Sequence, residues 1–563
     1  MIKRLFMAAV IAIAATDAAN AGGLLTNTNQ NVAFLRNPAR DAAIGIDGVY
    51  SNPAGVAFMP EGWHVSLNLQ NAHQTRTIES TFAGFGGNSN HLDQSTKTFK
   101  GEADVPVLPS IQAARNWKKW SFQFNFAITG GGGKCSFDNG LGSIESLVSL
   151  VPTVFNALGG TLNQVMNKRL NTQNIQYFPT QNTYSMNTFM RGRQYYYGYT
   201  LGAAYRINDS WSVYGGLRLL YGTSNYYGYV KNIQLNTQSS GLFPATSTES
   251  LGKWVTDNDR LVKQALGQII TNQQVLEAGM PLIVSGIDGM LEEGIQLNCD
   301  QEGYGIAPII GVDYKLNDKF NFAAKYEFKT RMRLENRATN SELVKYIPQL
   351  DRFADGKVDA DDSPALLTVG AQYSVLPTVR LNAGWHHYFD KDGHQHDDMQ
   401  QKLGGDTNEY LFGAEWDAHK MVTVSAGVQR TQYDFTDDYM DDISFNASST
   451  SLGIGAKIKV KKNLSVNVAY FHTFYDTYER HQADYNNVGA TIKGLANGLQ
   501  QTLASGLQTE QGQALAGLAG LNAQQLQGAM NGIMGQINSA DFSGSDKFTR
   551  TNRVIGIGVD WSF

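Results

Sequence analysis

Three groups of residues in this 563-residue chain carry side chains suited to chemistry. Asp390-Lys391-Asp392-Gly393-His394-Gln395-His396-Asp397-Asp398 collects carboxylates and imidazoles, the donors that take Ca²⁺ or a transition metal. Its spacing matches no defined metal loop, and a solvated polar loop accounts for it, so neither a metal nor another cofactor is expected. His386 and His387, with serines nearby, raise the question of a Ser–His hydrolytic site. Neighbouring strand positions face opposite ways, so the two imidazoles cannot share one site. No catalytic residue is assigned and no enzyme is expected. Cys135 and Cys299 are the only two cysteines and form a candidate disulfide. Two further groups shape backbone: the tetrapeptide Asn52-Pro53-Ala54-Gly55, and the run Gly130-Gly131-Gly132-Gly133, which in a strand marks a kink or bulge.

The elements that must position these groups are strands. In 553–563, Ile555, Ile557, Val559, Trp561 and Phe563 fall on one face, opposite Val554, Gly556, Gly558, Asp560 and Ser562. This alternation recurs back to residue 63, and it marks strands with one greasy and one wet face. Hairpins with short turns of Asn, Asp or Lys appear at 195–221, 305–328, 366–389, 410–428 and 451–470. With the remaining pairs they make about fourteen antiparallel strands, an even number as a closed single-chain transmembrane barrel requires. Trp63, Trp117, Trp120, Tyr205, Trp211, Tyr314, Trp416 and Trp561 stand beside the short turns, where an interfacial aromatic girdle belongs.

Composition agrees. Only 17% of residues are charged, against 26 Tyr, 27 Phe and 58 Gly, and no apolar run reaches the length of a membrane helix. A net charge of −5 offers nothing to nucleic acid. The expected fold is an all-β membrane protein, a barrel over 61–563 with helical outer-loop insertions near 144–170, 251–293 and 488–538. The insertions repeat apolar residues at helical steps, as in Leu147, Leu150, Val151, Val154 and Leu158.

Residues 1–21 read as a secretory signal peptide: a basic start, apolar residues from Leu5 to Ala15, and Ala19-Asn20-Ala21 before the cleavage site. Export to an oxidising compartment is what makes Cys135–Cys299 a candidate bond. Their strands would be separated by two others, about 14 Å, so bridging needs the loops to fold together to below roughly 7 Å. Residues 22–60 do not alternate, and their Phe34, Leu35, Ile44, Ile46, Val49, Tyr50, Val56 and Phe58 suit a hatch packed in the lumen. Lys315, Lys325, Glu327, Arg206, Arg218, Arg380, Glu415, Arg553 and Asp560 are assigned to the inner face. They are expected to tie the hatch down through Arg36, Arg40, Asp41 and Asp47.

Asn52-Pro53-Ala54-Gly55, after the small-residue run 42–48 and ahead of the first strand, resembles the long-chain fatty acid (FadL/TodX) family of outer-membrane transporters. Ser363-Pro364-Ala365-Leu366-Leu367-Thr368-Val369-Gly370-Ala371-Gln372-Tyr373 and the aromatic C-terminus extend the resemblance. It implies a fourteen-stranded barrel with an N-terminal hatch in the bacterial outer membrane, passing hydrophobic molecules by diffusion. It implies further that ligand leaves sideways where the third strand kinks, here at Gly130–Gly133. The partners expected are hydrophobic small molecules such as fatty acids or similar lipids, together with outer-membrane lipid and lipopolysaccharide around a monomer. A second reading is a non-transporting surface protein that binds lipid or adheres through its helical insertions.

Overall fold

The computed structural model describes residue 24, residues 26–150, scattered positions within 152–176, then 182–237, 294–340, 352–442, 445–494, scattered positions within 497–535, and 537–563. The expected signal peptide and the insertion near 251–293 lie outside the described residues, as does most of the insertions near 144–170 and 488–538.

Strands dominate. In chain order they are β1 (Gly62–Phe82), β2 (Thr96–Trp117), β3 (Trp120–Phe137), β4 (Asn182–Arg206), β5 (Trp211–Thr237), β6 (Ile295–Lys315), β7 (Phe320–Glu327), β8 (Arg333–Ala338) and β9 (Val358–Ala360). There follow β10 (Leu366–Leu376), β11 (Val379–Tyr388), β12 (Thr407–His419), β13 (Val422–Gln432), β14 (Ser449–Lys461), β15 (Leu464–Tyr475), β16 (Tyr478–Gln482) and β17 (Gly544–Ser562). β8 and β9 pair with each other as outward continuations of β7 and β10, and β16 continues β15 along β17. The wall therefore has fourteen staves, each antiparallel to its neighbours, as the alternation predicts.

The barrel closes by pairing β17 with β1 from His64↔Ser562 to Phe82↔Gly544. At its short-turn end Trp63 N donates to Phe563 O at 2.7 Å and Phe563 N returns the bond at 2.9 Å. Gly62 (φ 131°) makes this join possible, because a Cβ there would stand 2.7 Å from Phe563 O. The short turns rest on their own side chains. Asn208 Oδ1 accepts from Ser210 N (2.9 Å) and Trp211 N (2.8 Å), and Asn317 Oδ1 repeats this with Lys319 N (2.8 Å) and Phe320 N (3.0 Å).

The two faces separate as the alternation demands. Leu67, Leu69, Phe122, Leu201, Leu217, Ile306, Ile310, Phe412, Ile454, Ile555 and Ile557 are exposed, ringed at the short-turn end by Trp63, Trp117, Trp120, Trp211, Trp416 and Trp561. Water would penalise so continuous an apolar belt, whereas lipid does not. Inside, Ser66, Asn68, Gln70, Gln112, Gln123 and Asn125 are buried and polar. Arg553 corrects the sequence assignment: it lies on the outer face in phase with Ile555 and is exposed.

The long-loop end is capped by an apolar cluster that includes Ile78, Phe82, Phe85, Phe99, Phe445, Tyr485 and Phe548. A helix, Gly142–Val148, is buried along its whole length within the cap. Its Glu145 is met by Lys97 and accepts from Asn88 Nδ2 (2.7 Å) and Tyr184 OH (3.2 Å). Leu147 and Leu150, two of the residues whose spacing predicts an amphipathic helix, are buried in that cluster.

Candidate functional site

The hatch fills the lumen and is bonded to the wall almost residue by residue. Its first helix, Val32–Arg36, starts at Asn31, whose side chain accepts from Ala33 N (2.7 Å) while its amide donates to Gln112 Oε1 (2.7 Å) on β2. This N-cap satisfies one of the donors left free at the helix entry, and Asn68 Oδ1 on β1 accepts from Val32 N at 3.1 Å. The helix then presents Val32, Phe34 and Leu35 to Phe471 and Val554 of the wall in a second apolar cluster. Arg36 ends it and meets Glu415 at 2.6 Å. Arg40 clamps Asp47 with two bonds (2.7 and 3.2 Å) and reaches the same Glu415 at 3.0 Å. Charges this deep persist because each is paired.

His386 on β11 is a link that no local motif announces. Its Nε2 lies 3.0 Å from Asp41 in the hatch, and its Nδ1 lies 2.8 Å from Glu409 on β12. An imidazole between two carboxylates suits the imidazolium, in which both nitrogens donate. His387 faces the other way and contacts Asn408 (3.0 Å), so the two histidines form no joint site. Of the inner-face charges expected to hold the hatch, Glu415 does so directly and Lys325 donates to Tyr50 O (2.8 Å). Lys315 instead pairs with Asp318 (3.2 Å) beside the short turn.

The tetrapeptide Asn52–Gly55 is tied to three staves, and Val56 just after it to a fourth. Asn52 Nδ2 donates to Asp313 Oδ2 on β6 (2.6 Å), and its Oδ1 accepts from Gly55 N (3.1 Å). Pro53 O accepts from Gln123 on β3 (2.7 Å), and Ala54 O from Ser212 on β5 (2.7 Å). Val56 O accepts from Asn116 on β2 (2.8 Å). Gly55 is needed for space: a Cβ there would lie 2.4 Å from Asn52 Nδ2 and 2.9 Å from Asp313 Oδ2. The second Asn-Pro-Ala, Asn37–Ala39, sits against two wall glycines, where Cβ atoms at Gly413 and Gly427 would strike Asn37 and Pro38.

The wall itself is incomplete at one place. β2 and β3 pair at Gly101↔Phe137 and Glu102↔Ser136, and next at Ile111↔Phe126. Between these points 103–110 of β2 makes no ladder with 127–135 of β3. On the β2 side Pro106 and Pro109 have no N–H to offer. On the β3 side Gly131 (φ 92°) and Gly133 (φ 75°) take left-handed conformations, and the register with β4 slips twice around Gly130. The hatch supplies some of the missing bonds: Asn27 N donates to Thr129 O (2.7 Å) and Asn27 Nδ2 to Gly131 O (3.3 Å). A cavity of about 640 Å³, counted with the solvent at its mouth, is lined by Asn29, Ala72, Val105, Leu108, Ile128 and Gly131–Gly133, among others.

Cys135 and Cys299 are free, buried thiols, which corrects the expected disulfide. Cys135 is level with Gly192 on β4, Gly192 with Tyr226 on β5, and Tyr226 with Cys299 on β6. Three strand spacings, about 14 Å along the sheet, separate them, and neither lies in a loop free to move. In the loop after β11 the metal donors diverge. Asp390 is buried and accepts from Thr407 N (3.2 Å), while Asp398 is exposed beside His394.

No protein-family model matches the chain, and no curated protein matches it. Solved structures do. A FadL homologue of Pseudomonas aeruginosa matches with a TM-score of 0.55 at 11% identity, over 96% of this chain and 100% of that one. The P. putida toluene transporter TodX scores 0.47 at 12% identity over 92% and 94%, and the Ralstonia pickettii toluene transporter TbuX scores 0.46 at 14% over 95% and 99%. The first likeness shows that the chain has the FadL-type fold. With its closed wall and lipid-facing belt, this is a barrel of the bacterial outer membrane.

Proposed function

We propose that this outer-membrane barrel of FadL-type fold takes up hydrophobic molecules, such as long-chain fatty acids, by passive diffusion. The observation that carries the reading is the unladdered stretch between β2 and β3, opening on a cavity bounded by the hatch. A hatch tied to so many staves obstructs the lumen among the described residues, and a greasy solute would gain nothing from an aqueous pore. Each methylene resists transfer to water by about 0.8 kcal/mol, so a fifteen-carbon tail is held out by about 12 kcal/mol. A sideways exit into the bilayer avoids that cost. In this reading the apolar outer cap captures the molecule, Asn52–Gly55 is the latch of the hatch, and Gly130–Gly133 lets β3 bend away from β2. The barrel works as a monomer among outer-membrane lipid and lipopolysaccharide.

Uptake of labelled fatty acid by a strain lacking the gene, with and without the gene restored, tests this. Restoration is expected to raise uptake several-fold without added ATP. Equal uptake in both strains would leave the second reading, a surface lipid-binding or adhesion protein.

A further inference from the structure

On the outer surface of the wall, Lys134 of β3 and Arg193 of β4 are Cα partners, and Arg191 follows two residues on along the same face of β4. Lys134 and Arg193 are exposed and Arg191 partly so. Like charges directly opposite one another in a sheet are destabilising, and the protein supplies no anion to relieve them. Among the described residues no carboxylate, Asp138 just past β3 included, forms an ion pair with any of the three. The carboxylates on nearby staves are engaged elsewhere. Glu102 pairs with Lys100 (2.7 Å), Glu302 pairs with Arg337 (2.5 Å), and Asp300 accepts from Asn225 Nδ2 (2.9 Å). Across the barrel, at the same end of the wall, Arg430 of β13 has its own partner in Asp476 (2.5 Å).

The height of the patch is set by the strand. Tyr205 marks the short-turn girdle, and Ala203, Leu201, Tyr199, Tyr197 and Tyr195 follow it on the outer face of β4. Arg193 comes twelve residues from Tyr205, about 40 Å along the strand and about 30 Å along the axis of a tilted barrel. The apolar band of such barrels is about 25 Å tall, so Arg193 emerges just past its outer edge. Directly below lies an aromatic row in which Tyr197 stacks on Tyr221 (6.1 Å) and Tyr221 on Tyr304 (4.9 Å). Arg191 is held ready: its Nη2 donates to Asn225 Oδ1 (3.0 Å), and its guanidinium lies 5.2 Å from the centre of the Tyr227 ring.

We propose that Lys134, Arg191 and Arg193 form a docking site for one lipopolysaccharide molecule, holding a phosphate of its head while its acyl chains lie along Tyr197, Tyr199 and Leu201. Charge and depth select this occupant. Phosphate is the anion found at the edge of the apolar band, basic clusters there draw anionic head groups, and guanidinium pairs with phosphate through two parallel bonds. A free phosphate would gain nothing from the aromatic row below. The inference rests on the outer-membrane location and is independent of the uptake reading.

Native mass spectrometry of the folded, detergent-solubilised full-length barrel in magnesium-free buffer tests the site. The probes are lipid A, the phosphorylated anchor of lipopolysaccharide, its dephosphorylated form, and inorganic phosphate. The wild type is expected to retain one phosphorylated lipid A and to bind the dephosphorylated form at least tenfold more weakly. K134Q/R193Q is expected to weaken the phosphorylated lipid at least tenfold and R191Q several-fold, whereas K134R/R193K keeps it. R430Q removes a cation at the same end of the wall and should bind as the wild type does. If the double glutamine variant fails the heat-modifiability check for folding, K134Q and R193Q singly carry the test. Glutamine variants that bind lipid A as the wild type does would overturn the site. So would an equal loss in R430Q, or equal wild-type affinity for the dephosphorylated lipid. Displacement of lipid A by an equimolar amount of inorganic phosphate would overturn the lipid as occupant. Fatty-acid uptake enters none of these readouts, so failure of the transport reading leaves this site standing.

Discussion

Asn52 in the hatch donates to Asp313 in the wall at 2.6 Å, joining positions 261 residues apart. The bond survives only because residue 55 has no side chain. A Cβ at Gly55 would occupy the space between the two groups, within 2.4 Å of the amide and 2.9 Å of the carboxylate. Asp313 is fully buried, so loss of this partner leaves a carboxylate in the lumen with only Asn321 Nδ2 (2.8 Å) donating to it.

Replacing Pro53 with Ala and Gly55 with Val is therefore expected to displace the hatch without unfolding the wall. Overpacking of this kind costs about 1–3 kcal/mol, little against a closed fourteen-stave ladder. The variant should remain heat-modifiable on gels and reach the outer membrane, while fatty-acid uptake falls several-fold. Uptake at the wild-type rate in that folded variant would reduce the motif to architecture.

A second expectation concerns pH and the outer cap. Asp442 accepts from Ser143 N (2.7 Å), and burial, with Asp546 nearby, pushes its carboxyl from 3.8 up to about 7. Burial does the same to Asp390, also to about 7, partly offset by Thr407. In the folded cap these groups keep protons that the unfolded chain releases near pH 4. Cap stability is then greatest below about pH 4, falls as pH rises to about 7, and is level above it, by at most about 1.4 kcal/mol per pH unit per group. Protease susceptibility of the cap, followed from pH 4 to 8, should rise through this window. D442N should rise less steeply; an identical profile would remove Asp442 as a cause.

The two cysteines give a simple chemical check. Thiol titration without reductant should find none reactive in the folded barrel and two after denaturation. Both thiols are buried only where the surrounding packing is intact, and C135S or C299S should leave the barrel heat-modifiable. A denatured, unreduced protein with no titratable thiol would restore the disulfide.

Local patterns carried most of the architecture. The phase of Ile555, Ile557 and Val559 separates lipid face from lumen because strand periodicity needs only neighbouring residues. The same phase puts Arg553 outside, where a preference for placing charges inward had assigned it to the lumen. The glycines at 130–133 marked one lip of the wall gap. The other lip was equally visible in Pro106 and Pro109, since two prolines cannot belong to an unbroken central strand. The role of Gly55 was legible only in part: its dihedrals are ordinary, and the crowding that requires it comes from the Asn52 side chain as it is held toward Asp313 on β6, far along the chain. His386 could not be found at all from spacing. Its partners, Asp41 and Glu409, meet it through barrel curvature and stagger, which no short stretch of sequence encodes.

The pairing of Trp63 with Phe563 makes closure of this barrel the most non-local event in its assembly. Every other wall junction joins strands that follow one another closely or across a single insertion, but this one waits for both ends of the sheet. Bringing together points some five hundred residues apart costs chain entropy that no hairpin can recover beforehand. Until the ends meet, β1 and β17 are bare edges, open to pairing with any other chain. Insertion into lipid, where unpaired backbone is most costly, therefore acts as the driving force that zips the seam shut.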